Sequence, residues 1–165
     1  MAVIKLTLAS LLVTLAASVV AAPQQTTLVF LSESALVQTR AAEAAALEVM
    51  YEFMCTFNER NVPKFVGTLA FPHVRVVSGD VRITPDRQSM IDSMDFEALA
   101  RRFSWSHSRW ARIETVQADA DKEHFAVRLT RVNPEGVAYV MFDSLYILLR
   151  TATGWAIRAC YSFAP

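Results

Sequence analysis

The stretch "YVMFDSLYILLRTATGWAIRACYSF", residues 139–163, decides the fold. It holds two long apolar and aromatic runs separated by "TATG", a segment of turn-forming residues. Two such runs joined by a short turn make a hairpin. Working backwards, "NPEG" at 133–136 and "ADAD" at 118–121 have the same turn chemistry and set off two more runs. The expected strands are therefore roughly Trp110–Gln117, Glu123–Val132, Val137–Arg150 and Trp155–Phe163, a four-stranded meander. Upstream, "HVRVVSGDVRI" at 73–83 reads as another hairpin, with Ser78, Gly79 and Asp80 at its turn.

The residues before these strands read as helices. Leu47, Met50, Tyr51, Met54 and Phe57 recur at spacings of three and four, one face of a helix from about Arg40. The Ala-rich start favours it further. "NERN" at 58–61 ends or bends that helix, and "VPKFVGTLA" starts a short second one with Pro63 in its first turn. "TPDRQSMIDSMDFEALARRF" at 84–103 is a third, with Thr84 as the expected cap and Pro85 at the first position. Helices gathered on one side of a mostly antiparallel sheet make an α+β domain.

Composition bounds the function classes. The 165 residues suggest one domain, 53% of them are hydrophobic, and 16 basic residues balance 16 acidic ones. That balance gives no electrostatic case for nucleic acid or an anionic membrane surface. His73, His107 and His124 have no metal-ligand spacing, and no phosphate loop or nucleophile elbow is present. No metal or cofactor is expected. Cys55 and Cys160 are either one disulfide or two small buried side chains.

The beginning, "MAVIKLTLASLLVTLAASVVAAPQQ", reads as an export signal. Lys5 is a short positive region, Leu6 to Val20 is apolar, and Val19 and Ala21 are small residues before a cleavage point. The expected organisation is a signal at 1–21, a leader at 22–39 that is a tether or a short helix, and a domain at 40–165. The exported protein would be periplasmic or secreted. The alternative is a membrane anchor, although the run falls short of the roughly 20 residues that span a bilayer.

The helix end and second helix "FNERNVPKFVGTL", the hairpin "FPHVRVVSG" and the closing "DSLYILLRTATGWAIRACYSF" carry a resemblance. Residues of about 40 to 163 resemble the nuclear-transport-factor-2-like superfamily, which includes SnoaL-like cyclases and ketosteroid isomerases. The resemblance implies a curved sheet wrapped on the helices, a conical pocket between them, and often a homodimer formed through the sheet. It does not imply one activity, since fold does not fix function.

Alternation along the strands sorts side chains into two faces. With Asn133 opposite Gly136, Ala126 would face Asp143 and Arg128 would face Met141. With Arg150 opposite Trp155, Ser162 would face Asp143. One face then carries Phe125, Val127, Leu129, Ser144, Tyr146, Leu148, Ile157, Tyr161 and Phe163, and should meet the helices. The other carries Arg128, Met141, Asp143, Arg158, Cys160 and Ser162, and suits a dimer interface or a partly solvated surface. A slip of one residue would exchange the faces. Asp143 is therefore expected in an ion pair with Arg128 or Arg158, with a pocket acid as the other reading.

The expected function is binding of a small, largely apolar molecule by Tyr51, Trp105, Trp110, Ser144, Tyr146 and Tyr161. The second reading is a cofactor-independent lyase or isomerase using His73 and an Asp, with His107 as a further candidate beside Asp143. Relatives of the isomerase type use a carboxylate on the first hairpin, and "HVRVVSG" offers none before Asp80. The third reading is a sheet-mediated dimerisation module without a ligand. For each candidate the plain structural role remains open: Trp105 and Trp110 as packing, His107 as a surface residue, His73 as a hydrogen-bonded residue at a strand start.

Overall fold

The computed structural model describes residues 33–164. The expected signal segment 1–21 and the first part of the leader lie outside these residues. Helix α1 spans Glu33–Asn58, so residues 33–39, the last part of the leader, are helical. Among the described residues, no helix is long and apolar enough to cross a membrane. α1 buries Ala42, Ala46, Met50, Phe53 and Met54, at spacings of three and four. Tyr51 belongs to the adjacent strip and is 56% exposed. At about 3.6 residues per turn it projects roughly a third of a turn away from the line through Met50 and Phe53.

α2 (Val62–Gly67) has Pro63 in its first turn, as expected, and the Asn61 side chain caps it by accepting from the Lys64 N–H. The stretch 84–103 is two helices, not one. α3 (Arg87–Ser93) is capped by Asp86, whose Oδ1 accepts from the Ser89 N–H at 2.8 Å. α4 (Phe96–Phe103) is capped by Asp95 in the same way, through the Ala98 N–H at 2.8 Å. Thr84 instead ends a strand. Aspartate competes well for a cap, because it accepts from the free N–H groups and complements the helix dipole.

Six strands form one sheet: β1 (Leu69–Val77), β2 (Asp80–Thr84), β3 (His107–Ala118), β4 (Lys122–Val132), β5 (Ala138–Thr151) and β6 (Gly154–Ser162). Their order is β2-β1-β6-β5-β4-β3. Every pairing is antiparallel except β1 with β6. The expected α+β class, with a hairpin and a meander against N-terminal helices, is the observed architecture. The core is a joint product of α1 and the sheet. Met50, Phe53, Phe65, Phe96, Trp105, Phe125, Tyr146, Leu148 and Ile157 form one buried cluster. Fully burying a side chain of this size contributes about 1.5–3 kcal/mol.

Two registers depart from expectation, with different consequences. Between β4 and β5 the turn is longer than a tight Asn133–Gly136 pair: the Val137 carbonyl accepts from the Asn133 N–H at 3.0 Å. A bulge between Arg131 and Val132 adds one more residue of shift. The two shifts add to an even number, so the faces are preserved, and Asp143 lies opposite Arg128 rather than Ala126. Between β5 and β6, Arg150 does pair with Trp155, but a bulge between Ile147 and Leu148 displaces the register by one. Beyond it Tyr146 faces Cys160 and Ser144 faces Ser162. A single extra residue exchanges the faces of a strand. Cys160 and Ser162 therefore turn inward, while Tyr161 and Phe163, expected inward, are exposed.

Cys55 lies exposed on α1 and Cys160 is buried in β6; both are free thiols.

Candidate functional site

The sheet and the helices enclose a cavity of about 250 Å³. Its apolar walls come from both layers: Phe53 and Phe57 of α1 and Met94 between the short helices face Leu129, Phe142 and Tyr146 of the strands. The rings interlock, with Phe53 edge-on to Tyr146 at 5.6 Å and Phe53 against Phe65 at 5.0 Å. Such contacts fix the walls.

The polar groups of the cavity follow from the registers. Arg82 pairs with Arg75, Arg75 with Cys160, and Cys160 with Tyr146, one row running across four strands. All four line the cavity, together with Ser162. Arg131 enters from β4, two residues beyond the wall residue Leu129. Its side chain runs between two aromatic faces, 5.2 Å from the Phe103 ring centre and 5.3 Å from that of Phe142. It is 8% exposed. Burial lowers its pKa, and the neighbouring Tyr139 phenol opposes that fall. Among the described residues, no aspartate or glutamate side chain lines the cavity.

His73 also reaches it from β1. Its Nδ1 is 3.1 Å from the carbonyl oxygen of Ile157. A carbonyl only accepts, so Nδ1 carries the proton and Nε2 has the lone pair. Burial lowers the His73 pKa, and the charges of Arg75 and Arg158 press in the same direction. The ring is therefore neutral at pH 7. The Tyr146 phenol is raised well above its usual range by burial, and the Cys160 thiol is raised by the same cause. Neither shift favours the anionic form that acts as a nucleophile. Cys160 in particular lacks a depressed pKa.

The other candidates lie elsewhere. Asp143 is on the outward face, where Arg128 Nε and Nη2 donate to its two oxygens at 2.8 Å each. Donation from Arg128 is the main reason its carboxyl pKa is lowered. Asp143 is thus the ion-pair residue of the first reading and does not line the cavity. His107 is exposed at the start of β3, the edge strand, with Nδ1 3.4 Å from Ser106 Oγ. Among the described residues, no Asp joins His73 in the cavity. Tyr51 and Tyr161 are outside it, both carried there by the geometry described above. Trp105 is buried against Phe57 and Phe96, and its Nε1 donates to Ser108 Oγ at 2.9 Å. Trp110 Nε1 donates to the Met50 carbonyl at 3.2 Å. Both tryptophans brace the wall from behind. Ser144 donates to Ser162 Oγ at 2.8 Å and so supports a lining residue without lining the cavity itself.

The sequence reading of the candidates includes His73 and Tyr146 and omits Arg75, Arg82, Arg131, Cys160 and Ser162. For Arg131 a signal existed: it continues the inward series Phe125, Val127, Leu129. For Cys160 and Ser162 none did, because the β6 bulge leaves no mark in the pattern. Among the described residues, no group of three or more His, Cys, Asp and Glu side chains could hold a metal ion.

No protein-family profile matches this chain, and no curated protein matches its sequence. Solved structures do match in shape. A nuclear-transport-factor-2-like protein with a cystatin-like fold from Novosphingobium aromaticivorans has a TM-score of 0.61 at 12% identity, covering 79% of this chain and 86% of that one. A ketosteroid isomerase-like protein from Erwinia carotovora atroseptica has a TM-score of 0.53 at 20% identity, covering 74% and 96%. A protein from Catenulispora acidiphila, in complex with S-DNPA, has a TM-score of 0.59 at 12% identity, covering 75% and 93%. With helices against a six-stranded, mostly antiparallel open sheet, this chain has the nuclear-transport-factor-2-like fold, as the resemblance implied.

Proposed function

We propose that this domain binds a small, largely apolar molecule in the cavity between α1 and the sheet. The observation that carries this reading is a cavity of about 250 Å³ with aromatic, leucine and methionine walls and a few convergent polar groups. Clefts of that character are where small ligands bind. Its size falls just below the roughly 300–1,000 Å³ of drug-sized sites, so a single ring or a short chain fits best. The fold relative held in complex with S-DNPA supports use of this architecture for small ligands. Catalysis has less support. Of the expected proton-transfer candidates, His73 lines the cavity, and among the described residues no side-chain carboxylate there orients it or stabilises its charge.

Native mass spectrometry of the protein purified from its own host tests the binding reading. A co-purified molecule of one-ring size, lost in a Phe53→Trp variant that fills the cavity, is the expected result. A protein that carries nothing and whose melting temperature no small aromatic compound raises would overturn it.

Two further readings belong with this one. The outward sheet face exposes Met141 and Tyr161 as well as the Arg128–Asp143 pair, which favours association through the sheet. Sedimentation that finds a monomer at all concentrations would remove it. Export through cleavage after residue 21 rests on the sequence pattern, and N-terminal sequencing of the mature protein that begins at Met1 would remove it.

A further inference from the structure

We propose that the ligand carries a carboxylate, and that Arg131 and Arg75 hold it inside the cavity. This rests on the reading that the cavity binds a small molecule, and adds the chemical class of that molecule. Three observations converge. The first is charge. Arg75, Arg82 and Arg131 line one cavity, the first two exposed and Arg131 buried; among the described residues no acidic side chain lines it and no ion pair involves any of the three. Water solvates the two exposed arginines, so a neutral ligand would leave Arg131 as a buried charge without a counter-ion.

The second is burial. Arg131 is 8% exposed and stands among apolar neighbours, where an ammonium or guanidinium is costly unless paired. Its aromatic contacts hold the plane of the guanidinium but accept none of its N–H groups. Arg75 is near enough to lower the Arg131 pKa by repulsion. An anion between the two would reverse that repulsion.

The third is geometry. A planar fork matches a carboxylate with two parallel hydrogen bonds. The apolar body of the ligand would extend toward Phe53, Phe57 and Met94, on the helix side of the same cavity. His73 Nε2 is an acceptor when Nδ1 donates to Ile157, so it suits a hydroxyl or amide N–H of the ligand rather than the anion. A phosphonate would share the charge chemistry, but its tetrahedral head is bulkier for a cavity of this volume.

Titration calorimetry on the whole protein separates the alternatives. The probes are 3-phenylpropanoate, 3-phenylpropanamide and 3-phenylpropylphosphonate, each with wild type, Arg131→Met and Arg75→Met. The expected result is that wild type binds the acid at least about tenfold more tightly than the amide, a difference of about 1.4 kcal/mol. Arg131→Met should remove that preference and keep amide binding, and Arg75→Met should reduce it. Preference for the phosphonate over the acid would overturn the carboxylate assignment. Equal binding of acid and amide by wild type would overturn the anion proposal and leave the apolar binding site standing. No binding by any probe would overturn both. Should Arg131→Met not fold, Arg75→Met and the wild-type preference for acid over amide still decide the matter.

Discussion

Arg128 and Arg131 stand three residues apart on β4, on opposite faces of the sheet, in opposite circumstances. Arg128 is half in water and has a carboxylate partner, Asp143, gripped by two hydrogen bonds of 2.8 Å. Arg131 is buried among aromatic rings and has no carboxylate partner among the described residues. Stability alone would favour the reverse arrangement. An exposed arginine needs no counter-ion, because water solvates it, whereas a buried one does. The outward pair is what a solvated surface commonly carries. The inward charge is the departure from local preference, and such departures concentrate at functional sites.

The first way to press on this comparison is to truncate one residue on each face. Phe125→Ala removes a fully buried ring from the inward row and should cost about 3–5 kcal/mol. Met141→Ala, on the outward face, should change stability by less than about 0.5 kcal/mol. Denaturant melts of the two variants measure both. Equal losses would mean that the outward face is also covered in solution, as in a sheet-mediated dimer.

The second concerns a charge at the opposite end of the inward row. Glu123 has no exposed surface, and neither carboxylate oxygen has a hydrogen-bond partner. Burial first, then the charges of Glu43 and Asp119, raise its pKa from 4.5 to about 7. The folded state therefore holds this proton more tightly than the unfolded chain does. Stability from this group is complete below about pH 4.5 and is lost as pH rises toward 7. A carboxylate sealed from water would lose about 3 kcal/mol over that window, and screening near the surface brings the expected value to about 2 kcal/mol. Glu123→Gln should be more stable than wild type by about that amount at pH 8 and equal to it at pH 4. A gain that does not vary with pH would refute the assignment.

The third tests Arg131 without a ligand. Arg131→Met replaces a buried charge with an apolar chain of similar length, and should stabilise the empty protein by about 1–2 kcal/mol. A clear loss would mean that the rings around Arg131 satisfy it, and the contrast with Arg128 would weaken. The smallest effect is expected at Asp143. Asp143→Asn should lower the melting midpoint by no more than about 2 °C, since the pair is open to solvent and salt. The lowered carboxyl pKa makes even this effect vanish as pH falls through the folded-state value. A larger loss, with a change in sedimentation, would place Asp143 in an interface.

Much of the fold was legible in residues alone. The apolar runs 123–132, 139–150 and 155–163, separated by turn chemistry, specify long paired strands, because alternating and β-branched residues suit a half-buried pleat. The three-and-four spacing from Leu47 to Phe57 specifies a helix with one apolar stripe. Pro63 specifies the start of α2. These signals are local: each depends on neighbours within a turn or a strand.

The cavity needed more than that. Whether Tyr161 or Cys160 turns inward depends on one extra residue in β6, and that bulge is set by how β6 packs between β5 and β1, which joins it in parallel. Whether Tyr51 faces the sheet depends on which strip of α1 the sheet selects, and Met50 and Phe53 are chosen because they meet Tyr146 and Trp110. The gathering of Arg75, Arg82 and Arg131 joins residues from three strands. No periodicity within one strand encodes it. Hydrophobic period and turn chemistry are properties of a segment and can be read along the chain, but a site is a coincidence of segments, decided when long-range pairing fixes their registers against one another.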